Sequence, residues 1–245
     1  MALENKPESL VARQSEWFVP SFGPRRFRLG VGLLFLPYTG MVLSYTVLGS
    51  VMADDIHWTR MAAIVLIYFL GLGVAAHALD ALGSKSLKPW GDAFDRRQLW
   101  LLALGSLVLA YGIAAYFMIL YVPLLWVVAI LEGFFVFAYN LEWFHGRFHT
   151  DAWFSFSWGF LPVVAGYVMQ TNRFSLGMLI VALSTAFFSL IEIKISRPYK
   201  DLKRDSRDPT PYEVQLMERY ETVLKSVSLG VCLLGAGFLL WRISG

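Results

Sequence analysis

The chain has 245 residues, 57% of them hydrophobic and only 16% charged, where a soluble domain of this size carries about a quarter charged residues. That balance excludes an ordinary soluble domain and predicts an integral membrane protein, all-α and polytopic. The formal net charge is +3, but the basic residues collect beside apolar runs, as membrane-flanking loops require, and no nucleic-acid partner is expected.

Residues 1–28, MALENKPESLVARQSEWFVPSFGPRRFR, are polar and mixed in charge, without the apolar core of a signal peptide. They form an N-terminal segment ahead of a helical domain over 29–245. A membrane crossing needs about 20 mainly apolar residues. By that rule there are seven, at roughly 29–51, 60–82, 98–117, 122–143, 152–171, 174–195 and 223–243. The third and fourth are one apolar stretch from Leu99 to Leu141, so a tight turn is required near Tyr121, Val122 and Pro123. A hydrophilic insertion follows at about 196–222, and its second half is expected to form an interfacial helix. All Lys and Arg except Arg60, Arg173 and Arg242 then fall on the side of the N-terminus. The positive-inside rule predicts a cytoplasmic N-terminus, with the protein in the plasma membrane. The single cysteine, Cys232, lies in an apolar run and has no intrachain disulfide partner.

On this topology the ionisable residues at helix ends gather on one face. His77 and Asp80 end the second helix, Tyr139 and Glu142 the fourth, Asp151 opens the fifth, and Glu192 and Lys194 end the sixth. The pattern predicts a polar cavity with acids on its wall and Lys85, Lys88, Arg147, Arg197 and Lys200 around its rim. Acids and bases at a membrane boundary suit a diphosphate, whose head is held by basic residues and by Mg²⁺ on a carboxylate, with a lipid tail in the apolar interior. The plain alternative is that Lys and Arg flanking spans only set topology. Asp80 is the sharper signal, because an unpaired carboxylate at that depth costs several kcal/mol unless compensated.

Glu132 is the only carboxylate well inside a span, on one helical stripe with Phe135 and Tyr139. It either contacts substrate or hydrogen-bonds to a neighbouring helix, with Gly133 permitting close approach. The aromatic runs FFVFAY and AWFSFSWGF either line an isoprenoid pocket or pack and face lipid. His145 and His149 have the four-residue spacing of a helical metal pair, without the following acid of a zinc protease.

These features occur in an order that resembles the UbiA superfamily of intramembrane prenyltransferases. The resemblance covers about residues 29–205. It rests on Pro37 and Gly40, on HALDALGSKSL where that family has its first Asp-rich motif, and on DRRQLWLLALGSL leading into the third span. YNLEWF stands where the family has a Tyr-x-x-x-Lys element, and WGFLPVVAGY resembles its Gly-rich fifth helix. The resemblance implies that Asp80 is a Mg²⁺ ligand, that His77 stands near the family's Asn, and that Lys85 replaces a phosphate-binding Arg. Tyr139 matches the motif Tyr, with Trp143 or Glu142 at the position of the Lys. The second acidic site falls to Asp201 and Asp205, at four-residue spacing, or to Glu192, which lies nearer the right depth.

The implied activity is transfer of an isoprenoid chain from a prenyl diphosphate to a lipid, aromatic or quinone-like acceptor. Two other readings stay open. One is a cyclase-like or non-catalytic prenyl-lipid-binding homologue; the other is a small transporter or accessory subunit using Asp80 and Glu132 as a proton relay.

Overall fold

A computed structural model describes residues 16–83, 94–204 and 208–244. Among these residues all regular structure is helical: α1 Arg25–Leu33, α2 Leu36–Val51, α3 Trp58–Gly83, α4 Arg96–Leu120, α5 Leu125–Asn140, α6 Asp151–Thr171, α7 Leu176–Arg204 and α8 Pro211–Ser244. Five of them, α3, α4, α6, α7 and α8, are long and apolar enough to cross a membrane. α1 and α2 meet at a 45° bend and make a sixth when taken as one span. The protein is an integral membrane protein. α5, with 16 residues, is about 24 Å long, short of a hydrocarbon core of about 30 Å.

Local sequence explains where the helices begin. Asp95 Oδ1 accepts from the Gln98 amide at 2.7 Å, and Gln98 Oε1 accepts from the Asp95 amide at 3.1 Å, a reciprocal cap that starts α4. Thr210 and Glu213 repeat the device before α8, where Pro211 occupies the first helical position. The required turn between α4 and α5 falls at residues 121–124.

The expected insertion at about 196–222 takes a different form. α7 does not stop near residue 195 but runs on to Arg204, carrying Pro198 inside it, and α8 begins at Pro211 rather than near 223. The separate interfacial helix is therefore the first part of α8. Its 34 residues give about 51 Å of helix, well over a bilayer core. Continuity makes Arg197, Lys200 and Asp201 helical residues at fixed angles on α7 instead of loop residues.

Small residues let the helices close up. A Cβ on Gly166 of α6 would collide with the Thr46 carbonyl of α2, and one on Gly49 of α2 would collide with the Val163 carbonyl of α6. Ser50 adds a hydrogen bond from its hydroxyl to the Gly166 carbonyl at 3.3 Å. Between α6 and α7, Thr185 Oγ1 donates to the Gly159 carbonyl at 2.9 Å. The end of the bundle remote from residues 141–150 is tied by polar groups. The His57 amide donates to Gln170 Oε1 at 2.7 Å, the Leu124 amide to Asn172 Oδ1 at 3.0 Å, and Arg242 to the Ala53 and Asp54 carbonyls.

Two helices change winding on the way to the opposite end. α3 passes through a π-helical stretch, Phe69–Ala76, immediately before His77, and α6 passes through another, Phe156–Phe160, around Trp158. Such stretches are rare and concentrate at functional sites.

Candidate functional site

His77, Asp80, Tyr139 and Lys200 line one cavity, together with Phe35, Tyr38, Asn140, Phe154, Trp158 and Ile193. Its empty space is about 510 Å³, part of it open to solvent. Four helices and the α1–α2 junction supply this wall: the end of α3, the end of α5, the first half of α6 and the far third of α7.

The aromatic side is built from the backbone up. Phe35, at the bend between α1 and α2, has φ of +41°, left-handed backbone that a bulky residue rarely adopts and that costs on the order of 1–3 kcal/mol. Thr39 Oγ1 closes the bend by donating to the Leu34 carbonyl at 2.6 Å. The conformation stacks the Phe35 ring on Tyr38 at 4.6 Å and packs it on Phe18 at 4.9 Å. Across the cavity Phe154 stacks on Trp158 at 5.3 Å, and the His77 ring lies 5.2 Å from Trp158. His77 Nε2 is also 3.5 Å from Thr39 Oγ1.

Lys200 is held by those aromatics. Its ammonium lies 4.7 Å from the centre of the Phe35 ring and 5.4 Å from that of Tyr38, cation–π contacts that help to aim a long side chain. Glu192, two turns earlier on α7, is 2% exposed. It does not line the main cavity but borders the space directly beside it, against Tyr38, Phe154 and Trp158, and a second space against Phe18, Phe35 and Lys200. Its Oε2 is buried with no hydrogen-bond partner among the described residues.

Arg197 pairs with a carboxylate at the cavity edge. Its Nε lies 2.9 Å from Asp151 Oδ1, while Lys194 Nζ lies 3.4 Å from Asp151 Oδ2. Asp151 thus joins the start of α6 to α7, and Arg197 stands beside Tyr139 at the cavity edge. Tyr139 carries a second support, since the His149 ring stacks on it at 4.5 Å and His149 Nδ1 is 3.0 Å from its carbonyl oxygen.

Other expected site residues lie apart. Glu142 and Arg147 belong to the tight turns of residues 141–148, where Glu142, Phe144, His145 and Gly146 all have positive φ; Arg147 is exposed. That winding also cancels the helical spacing of His145 and His149, and His145 is exposed. Asp201 is exposed near the end of α7. Lys85, Lys88 and Asp205 fall outside the described residues. Glu132 lies seven residues before Tyr139, about 10 Å along α5, and lines a different, apolar cavity.

The donor set bears on Mg²⁺. Asp80 is the one carboxylate on the main cavity wall among the described residues, and no three His, Cys, Asp or Glu side chains among them are placed to share a metal. Asp80 fits an ion that takes its remaining oxygens from substrate phosphates and water, as Mg²⁺ commonly does. The second acidic half of a two-ion site is not assembled by Asp201.

Sequence reasoning missed Phe35 and Tyr38. Their signal was Pro37 following Leu36 inside an otherwise unbroken apolar run, where a proline near a helix start marks a break in the span. It also missed a polar knot outside the cavity. Lys203 Nζ lies 3.1 Å from Glu16 Oε2, and the Tyr199 hydroxyl donates to Glu221 at 2.9 Å, tying the N-terminal segment to α7 and α8.

Comparison of the chain with protein-family models, with characterised proteins and with solved structures finds no match.

Proposed function

We propose that the chain is a UbiA-like intramembrane prenyltransferase. It would move an isoprenoid chain from a prenyl diphosphate to a lipid, aromatic or quinone-like acceptor. The observation that carries this reading is the joint lining of one cavity by Asp80, His77, Tyr139 and Lys200 on one side and by Phe35, Tyr38, Phe154 and Trp158 on the other. The polar side suits a charged head, and the ring faces suit an allylic chain that develops positive charge as its diphosphate departs. Lys200 would hold diphosphate oxygens, with Tyr139 at the boundary between head and chain. Asp80 would hold Mg²⁺, whose contribution when bound is neutralisation of the leaving charge.

The same reading takes seven crossings, counting α1 and α2 as one bent span and α5 as a short one between the turns at 121–124 and 141–148. The cavity end then faces the cytoplasm, together with the N-terminus, and the membrane is the plasma membrane. Support for that orientation is the gathering of Lys and Arg on this side.

The lone Asp80 on the wall favours a second reading, a prenyl-lipid-binding homologue without transfer chemistry. One experiment separates the two. Purified protein is given geranylgeranyl diphosphate and Mg²⁺, and diphosphate release is measured for wild type and Asp80→Ala. Transferase chemistry requires release that falls at least about tenfold in the variant, a barrier change of about 1.4 kcal/mol. Background release from both proteins, with the diphosphate still bound, leaves the binding reading standing alone.

A further inference from the structure

A second cavity lies between α3, α4 and α5, lined from α5 by residues earlier on that helix than Tyr139. Its empty space is about 530 Å³ including its open side, and its wall is almost wholly aliphatic: Ile64, Leu72, Leu107, Val128 and Val136 are typical. Three polar side chains interrupt that wall, namely Tyr68, Tyr111 and Glu132. Two are already satisfied, since the Tyr68 hydroxyl donates to Glu132 Oε1 at 2.8 Å and the Tyr111 hydroxyl donates to the Ala129 carbonyl at 2.7 Å. Glu132 Oε2 is buried with no hydrogen-bond partner among the described residues.

A buried carboxyl oxygen left unpaired is costly, on the order of 1–3 kcal/mol or more, and helix packing has not removed it. Tyr68 fixes the other oxygen, so the carboxyl cannot turn away without breaking that bond.

We propose that this cavity is a binding site, separate from the one at the helix ends, for a neutral apolar molecule bearing a hydroxyl group, which hydrogen-bonds to Glu132 Oε2. A hydroxyl both donates and accepts, so it satisfies that oxygen whether or not the carboxyl carries its proton. An ammonium head is disfavoured by the cost of desolvating a second charge among aliphatic side chains. A pure hydrocarbon fills the volume and leaves the oxygen orphaned. The site does not depend on whether the first cavity performs transfer.

The test uses a photoreactive dodecanol carrying a diazirine, added to the full-length protein in liposomes, with labelled residues mapped by mass spectrometry. Labelling is expected within 64–72, 107–114 and 125–136. Unlabelled dodecanol should compete about twofold to tenfold better than dodecane, the range expected of one hydrogen bond to a carboxyl group. Glu132→Leu should lower labelling by a similar factor, and Glu132→Gln, which keeps an acceptor and adds a donor, should retain most of it. Equal competition by dodecane overturns the proposal, and so does undiminished labelling of a folded Glu132→Leu protein. Labelling confined to outward positions such as Ile130, which is 66% exposed, reports partition into lipid and overturns it as well. The alcohol–alkane comparison in wild type needs no variant, so it decides even if Glu132→Leu does not fold.

Discussion

Arg197 Nε lies 2.9 Å from Asp151 Oδ1, and this pair joins the first turn of α6 to the far third of α7 at the cavity edge. The Arg197 side chain is 41% exposed, so water screens much of the attraction and the pair is worth under about 1 kcal/mol. Asp151→Asn should therefore lower the thermal unfolding midpoint in detergent by no more than about 2–4 °C. A far larger fall would show that the pair holds the two helices together.

Lys200 has aromatic partners in Phe35 and Tyr38. Phe35→Leu removes one ring face while keeping an apolar side chain at the bend, and Phe35→Tyr keeps the face. With a cation–π contact of about 0.5–2 kcal/mol, Phe35→Leu should weaken binding of geranylgeranyl diphosphate by about twofold to thirtyfold and Phe35→Tyr should bind as wild type. Calorimetric titration reads both; equal weakening by the two variants would remove Lys200–Phe35 from the account.

The glycines give a contrast in stability. Gly166→Leu forces a side chain into the Thr46 carbonyl of α2, and overpacking of this kind costs about 1–3 kcal/mol or more. Gly105 in α4 has nothing within 4 Å of where a Cβ would stand. Gly105→Ala should be neutral or stabilise by up to about 1 kcal/mol. Thermal unfolding of the two variants side by side checks the sign of each.

Thr210→Ala removes the hydroxyl that accepts from the Glu213 amide at 3.3 Å and donates to Glu213 Oε2 at 2.8 Å. A lost cap of this kind costs about 0.5–2 kcal/mol. Hydrogen exchange should quicken over the first turn of α8 and stay unchanged beyond Leu224, which is buried. Unaltered exchange at residues 211–214 would show that packing, not capping, sets the start of α8.

His77, Asp80, Tyr139 and Lys200 were legible as a group because hydropathy fixes where helices end, and helix ends on one side of a membrane lie close together. Glu132 was legible as unusual but not as remote from them; the rise of seven helical residues separates it from Tyr139, a distance that span counting ignores. Asp201 and Arg147 looked equivalent to Lys200 because a list of charged residues carries no angle. The continuation of α7 to Arg204 sets those angles, turning Lys200 onto the aromatics and Asp201 outward. Pro37 could mark a break near Phe35, but the left-handed backbone of Phe35 itself is a tertiary outcome that no local propensity encodes. Arg197 read as a ligand for phosphate because its partner, Asp151, is distant in sequence.

The winding change at Phe69–Ala76 sets the phase of everything that follows it on α3. With all eight residues kept but wound as ordinary α-helix, the stretch would turn further and swing the tail of the helix by roughly 100°, about one residue's rotation. His77 and Asp80 would then face a different neighbour, while the apolar content of the span would be almost unchanged. The polar wall of the cavity therefore depends on the winding of eight apolar residues whose own side chains contribute nothing ionisable to it, so a change of winding there would move His77 and Asp80 off the site without altering either.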